Sequence, residues 1–227
     1  MVIDARTAPA PGWVLILPLK GGAAAKSRLG GGPVLARAIA LDCLDAVLGC
    51  PDVRRVLVVT ADGATAEDAA TAGALVVRES RPGSGLVAAV RDGLAAACAP
   101  GAGPTAVLLG DLPALRPADL AGGLRAATAA LAGRPRAPMA AVPDAEGSGT
   151  VLLAGRTPGD LDPAFGPGSL VEHLRRGAVP VPLDDAAGFD AARLRHDVDT
   201  PDDLRVAVRL GVGPRTAALL GRARSAS

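Results

Sequence analysis

Three aspartates at the ends of apolar runs are the residues of this chain best suited to chemistry. Asp111 closes the run Leu108-Leu109-Gly110-Asp111-Leu112-Pro113, and Asp197 and Asp199 flank Val198 in His196-Asp197-Val198-Asp199-Thr200-Pro201. If Leu194–Val198 is a strand, positions two apart share a face, and Asp197 and Asp199 point the same way. Such carboxylates suit Mg²⁺, a hard cation that takes one or two carboxylates together with substrate phosphates. Each aspartate also has a plainer use. Asp199 before Thr-Pro can start a helix, and Asp111 can cap a helix that begins near Pro117. Taken together, the three favour a metal site.

Candidate anion cradles accompany them. After an apolar run comes Lys20-Gly-Gly-Ala-Ala-Ala-Lys26-Ser27-Arg28, three cations within nine residues. A glycine-rich loop that enters a helix exposes backbone N–H groups to phosphate oxygens. It is not a Walker A loop, because Lys20 and Ala25 stand where that pattern needs glycine. A solvated basic turn is its alternative use. A second loop, Arg81-Pro82-Gly83-Ser84-Gly85-Leu86, precedes another helix. With Val87 and Ala88 it formally matches a dinucleotide fingerprint, but it is set away from the preceding strand, which that fingerprint does not allow. Gly83 and Gly85 therefore read as a nucleotide-contacting loop or a simple helix entry. A second anion cradle combines Gly147-Ser148-Gly149-Thr150 with Phe165-Gly166-Pro167-Gly168-Ser169, where Ser169 sits at or near a helix N-cap. Two cradles and a metal cluster suggest two phosphorylated substrates. His173 reads as part of a solvated helix face, and His196 as a neighbour of Asp197 without a catalytic role. No Cys or His spacing suggests zinc.

The elements that must position these residues alternate. Strands are expected at Trp13–Leu19, Arg55–Thr60, Ala74–Arg78, Thr105–Gly110, Ala137–Val142, Thr150–Ala154, Val179–Leu183 and Leu194–Val198. Helices are expected near Pro33–Leu48, Ala64–Ala72, Leu86–Cys98, Pro117–Leu131, Leu170–Arg176, Pro201–Leu210 and Pro214–Arg222. This alternation implies an α/β fold, a mostly parallel mixed sheet covered by helices on both faces. Closely spaced strands over 137–183 imply a small antiparallel excursion. Ligands in such sheets gather beyond the carboxyl ends of the strands, after Leu19, Arg78, Gly110 and Val198.

The chain has 227 residues, 49% of them apolar, enough for one domain with a sizeable core. Its Ala, Gly, Pro and Arg excess is the mark of a GC-rich genome. A formal net charge of +1 gives no field that would hold nucleic acid or an anionic membrane. Cys43, Cys50 and Cys98 have no framework spacing and read as small buried hydrophobes in a reducing compartment. Residues 1–11 read as a flexible lead-in without a signal-peptide core, and no run is long enough to span a membrane. A cytoplasmic location is expected.

These motifs, in this order, resemble the guanylyltransferases of coenzyme F-420 biosynthesis, a branch of the glycosyltransferase-A-like nucleotidyltransferases. The resemblance rests on Leu17-Pro-Leu-Lys20…Lys26-Ser-Arg28-Leu29, Gly110-Asp111-Leu-Pro113, Gly147-Ser-Gly-Thr150, Phe165-Gly166-Pro-Gly-Ser169, His196-Asp197-Val-Asp199-Thr-Pro201 and Leu210-Gly-Val-Gly-Pro214. It implies a three-layer α/β/α sandwich and transfer of GMP from GTP to phosphoenolpyruvate or 2-phospho-L-lactate, with Mg²⁺ as cofactor. It implies Asp111, Asp197 and Asp199 as metal ligands, and Thr150, Gly166 and Ser169 as contacts to the phosphorylated acid. Lys20, Lys26 and Arg28, with Gly83 and Gly85, would bind the nucleotide, and the product would pass to a downstream transferase. The sequence departs from the family at Val87, where an Asn is common, so a side-chain amide contact to the nucleotide is lost. A sugar phosphate or a molybdopterin-type cofactor as acceptor, or a non-catalytic nucleotide-binding module, are the rival readings.

Overall fold

The computed structural model describes residues 12–20, 32–183 and 189–225. Lys26, Arg28 and the expected lead-in 1–11 lie outside the described residues. Strands and helices alternate as β1 (Trp13–Pro18), α1 (Gly32–Leu48), β2 (Val53–Thr60), α2 (Gly63–Thr71), β3 (Leu75–Arg78), α3 (Leu86–Ala97), β4 (Thr105–Leu108) and α4 (Pro117–Gly133). There follow β5 (Met139–Pro143), β6 (Thr150–Gly155), a 3₁₀ turn at Pro158–Asp160, α5 (Ser169–Arg175) and β7 (Val179–Pro180). The chain ends in α6 (Ala191–Arg195), α7 (Pro201–Leu210) and α8 (Pro214–Ser225).

The strands form a seven-stranded sheet in the order β3-β2-β1-β4-β6-β5-β7. Only β6 is reversed, running antiparallel to both β4 and β5, while the remaining pairs are parallel. The expected excursion over 137–183 thus extends the same sheet rather than building a second one. β1 lies between β2 and β4, so a crevice opens beyond its carboxyl end where the strand order changes direction.

Successive strand residues point to opposite faces, and in β1 both sets are apolar, the pattern of a sheet buried on both sides. Leu15 and Leu17 pack with Leu44 and Val47 of α1 and with Leu120 and Leu124 of α4. Val14 and Ile16 pack with Val90 and Leu94 of α3 and with Phe165. The result is three layers. Truncating a fully buried leucine such as Leu15 or Leu124 to alanine costs about 2–5 kcal/mol. α8 is anchored from afar: the buried Asp42 of α1 accepts from the Arg215 and Thr216 backbone N–H groups at 3.1 and 2.8 Å.

Three sequence expectations need correction. Leu194–Val198 is not a strand: Ala191–Arg195 is helix, capped by Asp190, whose carboxylate accepts from Ala192 N at 3.0 Å. Leu194 and Val198 are both fully buried, but burial at a spacing of four is as compatible with a helix as with a strand. Leu194 packs against α4 where Gly123 has no side chain, and a Cβ there would overlap it. Second, Val179–Leu183 shortens to a two-residue strand. Third, Cys43 and Cys50 are buried but Cys98 is exposed, because it follows the last buried residue of α3 as that helix's C-cap. Among the described residues, no helix is long and apolar enough to cross a membrane.

Candidate functional site

The metal-side residues collect where β1 and β4 end. Gly110 lets the two strand ends approach, since a Cβ there would overlap the Leu19 side chain and crowd the Pro18 carbonyl. Asp111 follows directly and is half-buried. The segment after α6 docks on it, Val198 N donating to the Asp111 carbonyl at 3.0 Å. Asp197 and Asp199 are therefore brought to Asp111 by a docked loop and not by sharing a strand face. The plainer uses of the aspartates are taken by other residues. Thr200 caps α7, with Asp203 accepting from Thr200 N at 2.7 Å and from Asp199 N at 3.1 Å, and the N-cap of α4 is Arg116. The Asp111 and Asp199 side chains line a cleft of about 220 Å³ with Lys20.

Negative charge is crowded here. The Asp197 carboxyl is pushed up to about 7, first by burial, then by the negative charge of Asp111, with Asp199 and Asp144 adding to it. Among the described residues, no group of three or more His, Cys, Asp or Glu is placed to hold a metal ion. The carboxylates that gather at Asp111 offer oxygen donors only, the kind a hard ion takes together with substrate phosphates. His196 Nε2 lies 2.8 Å from the Asp203 carbonyl. A carbonyl can only accept, so Nε2 donates and His196 serves the local fold.

The nucleotide side opens from the same lysine. A cleft of about 490 Å³ is lined by Lys20, Asp62, Glu79, Gly83 and Gly85. Gly83 and Gly85 have φ of 81° and 93°, so they turn the chain into α3 in a way that side chains resist. Asp92 of α3 holds the preceding segment, accepting from Ser80 N and Oγ at 2.8 Å each. Asp62 is already occupied, capping α2 through Thr65 N at 2.8 Å. Val87 packs partly buried on the core of its sheet face, so the departure there removes an amide and leaves a core contact. Glu79 escaped the sequence reading because a lone acid after a strand carries no pattern.

The acceptor side is more closed. β4 and β6 pair antiparallel with Leu108 opposite Leu152, and Leu109 N donates to the Val151 carbonyl at 3.0 Å. Continuing that register sets Thr150 beside Gly110, next to Asp111. Thr150 and Ser169 are 2% and 3% exposed. Ser169 N donates to the Gly166 carbonyl at 3.0 Å, and Leu170 N to the Ser148 carbonyl at 3.1 Å. The first closes one glycine turn and the second joins it to the other, as the second anion cradle requires. The side chain at their centre is His173, which corrects the expectation of a solvated histidine. It is 0% exposed, contacts Thr150 Oγ1 through Nδ1 at 2.9 Å, and accepts from Ala164 N at Nε2, also at 2.9 Å. Phe165 stacks edge-on at 5.1 Å. Burial, with Arg176 assisting, pushes its pKa down to about 4. The missed signal was its position four residues after Ser169, on the same helical face.

Comparison with known proteins bears on the fold and the family. The profile of the MobA-like NTP transferase domain matches residues 21–178. A phosphoenolpyruvate guanylyltransferase of Salinispora arenicola is 47% identical over 217 residues, 93% of this chain and 94% of that protein. One of Streptomyces coelicolor is 46% identical, covering 92% of this chain and 96% of that protein. Among solved structures, a nucleotidyl transferase from Methanothermobacter superposes with a TM-score of 0.58 at 19% identity, covering 88% of this chain and 98% of that one. Rv0371C of Mycobacterium tuberculosis, solved in complex with manganese, has a TM-score of 0.55 at 22% identity, covering 88% of this chain and 100% of that one. These structures share the fold.

Proposed function

The chain belongs to the MobA-like NTP transferase family, and within it to the phosphoenolpyruvate guanylyltransferases; from that premise we propose that it transfers GMP from GTP to phosphoenolpyruvate, releasing pyrophosphate, as a cytoplasmic step of coenzyme F-420 biosynthesis. The observation that carries the reading is one lysine shared by adjoining clefts. Lys20 borders both the acidic cleft of Asp111 and Asp199 and the larger cleft of Gly83 and Gly85. A triphosphate lying across Lys20 would present its α-phosphorus to the carboxylates while its nucleoside occupies the larger cleft.

The reaction is an in-line displacement. A phosphate oxygen of the acceptor attacks the α-phosphorus, and pyrophosphate departs. That oxygen is anionic at neutral pH, so no side chain has to remove a proton. The chain must instead hold two anions against their repulsion and aim one at the other. Thr150, Gly166 and Ser169 would hold the acceptor, Lys20 with Lys26 and Arg28 the β- and γ-phosphates, and Gly83 and Gly85 the nucleoside. Asp111, Asp197 and Asp199 would hold a divalent cation, Mg²⁺ in the cell, which when bound stabilises the charge that builds on the phosphoryl oxygens. Glu79 supplies the acceptor that guanine's N1–H and amino group need, in place of the amide absent at Val87. The product is a phosphoric anhydride, activated for a downstream transferase.

The experiment is pyrophosphate release with GTP, ATP or CTP against phosphoenolpyruvate, 2-phospho-L-lactate and a sugar phosphate. GTP with phosphoenolpyruvate should give the highest kcat/KM. No release with any pairing sinks the proposal.

A further inference from the structure

We propose that His173 is a positioning residue that fixes the Thr150 hydroxyl as a hydrogen-bond donor to the acceptor's phosphate; the proposal rests on the acceptor reading given above. The argument begins with a backbone amide. Ala164 N–H can only donate, and it meets His173 Nε2 at 2.9 Å. Nε2 must therefore carry a lone pair, and the neutral ring keeps its proton on Nδ1. Nδ1 lies 2.9 Å from Thr150 Oγ1, so the ring donates and the threonine oxygen accepts. One lone pair of Thr150 is thereby occupied, and its own proton is turned away from the imidazole. An anionic oxygen can use that proton. If the tautomer were reversed, the hydroxyl would donate to the ring and present lone pairs to the phosphate, which would repel it.

The same ring unites the three acceptor segments. Thr150 opens β6, Ala164 lies two residues before Gly166, and His173 lies on the helix that Ser169 opens. With the ring fully buried and its pKa pushed down to about 4, it stays neutral through the working range and this arrangement is permanent. Phe165 packs its edge at 74° to the ring and limits rotation. The alternative, that His173 is only a well-packed core residue, predicts no preference for a particular substrate.

Asparagine and glutamine separate the two ring nitrogens. An asparagine amide reaches about as far as Nδ1 and can still donate to Thr150, whereas a glutamine reaches toward Ala164 and leaves Thr150 without its donor. With wild-type turnover established, His173→Gln should raise the KM for phosphoenolpyruvate about tenfold and leave the KM for GTP within about twofold. His173→Asn should recover most of that loss. In a Thr150→Ala background, His173→Gln should add less than about twofold, because the two residues act as one unit. Equal loss toward both substrates, or the same cost with and without the Thr150 hydroxyl, overturns the proposal.

A second measurement needs no variant to fold. The chain has two histidines, so ¹⁵N-histidine spectra of the wild-type protein resolve both rings. The buried one should show its proton on Nδ1, unchanged from pH 8 to pH 5. A proton on Nε2 overturns the proposal even if the enzyme turns over normally. Absence of turnover with the tautomer intact tells against the substrate reading instead.

Discussion

The two halves of the crevice are built by different means. On the nucleotide side, Lys20, Gly83 and Gly85 are exposed, and the loop is steadied from beneath by Asp92. On the proposed acceptor side, Thr150, Ser169 and His173 are all nearly or fully buried, and Thr150 and His173 hydrogen-bond to each other across segments. On the proposed function, the difference follows from the ligands. A triphosphate offers many oxygens and can be caught by a few long cations and open amides. A three-carbon acid offers little surface, so a site must obtain its selectivity from fixed, desolvated groups whose loss leaves a partner unpaired. The aspartates are gathered by a loop docked on Asp111.

The largest expected break in this comparison falls at the boundary itself. Asp111→Asn should lower kcat about 10³-fold at limiting Mg²⁺ with an unchanged thermal midpoint, since a cation's charge stabilisation is worth several kcal/mol. Pyrophosphate release and circular dichroism check the two parts, and near-normal turnover removes Asp111 from the metal site. A buried neutral histidine makes the acceptor half acid-sensitive. Folded His173 resists protonation down to about pH 4, whereas the unfolded chain takes up that proton near pH 6.5. The unfolded state then binds more protons in this window, and stability rises with pH across it, by at most about 3 kcal/mol. The urea midpoint of the wild type relative to His173→Gln should fall from pH 7 to 5.5 to 4.5, a comparison that cancels the opposite slope of Asp197, whose raised pKa favours the folded state at low pH.

Smaller effects sharpen the contrast. Gly166 has φ of 142°, a conformation that costs other residues about 1–3 kcal/mol. Gly166→Ala should raise the KM for phosphoenolpyruvate about tenfold while the KM for GTP holds, and a matching rise in both would dissolve the division into halves. Glu79→Gln should act on the opposite side, narrowing the preference for GTP over ATP by about fivefold, since it replaces an acceptor-only group with one that also donates. Competition assays with mixed nucleotides would read this, and an unaltered ratio removes Glu79 from base selection.

Much of this was legible before folding. Apolar runs at β1 and β4, each followed by a break and an amphipathic stretch, read directly as strand and helix. Asp111, Lys20, Thr150 and Ser169 stood out because each follows or opens such a run. Asp197 and Asp199 were placed together for a mistaken reason, since their apparent alternation lies in the turn after α6. His173 was misread altogether. Beside Arg175 and Arg176 on a seven-residue helix, it looked solvated, and its burial depends on Thr150 and Ala164, which arrive from elsewhere in the chain.

The sequence by itself determined the α/β alternation, the family, and the identity of most residues that could meet a phosphate, because local period and short motifs are written in neighbouring residues. Tertiary structure alone decided which of them meet. The docking of Val198 on Asp111, the reversal of β6 that sets Thr150 beside Gly110, and the buried tautomer of His173 arise from hydrogen bonds and packing between segments far apart in the chain. No local pattern encodes those contacts, because their free energy appears only when the sheet has brought the segments together.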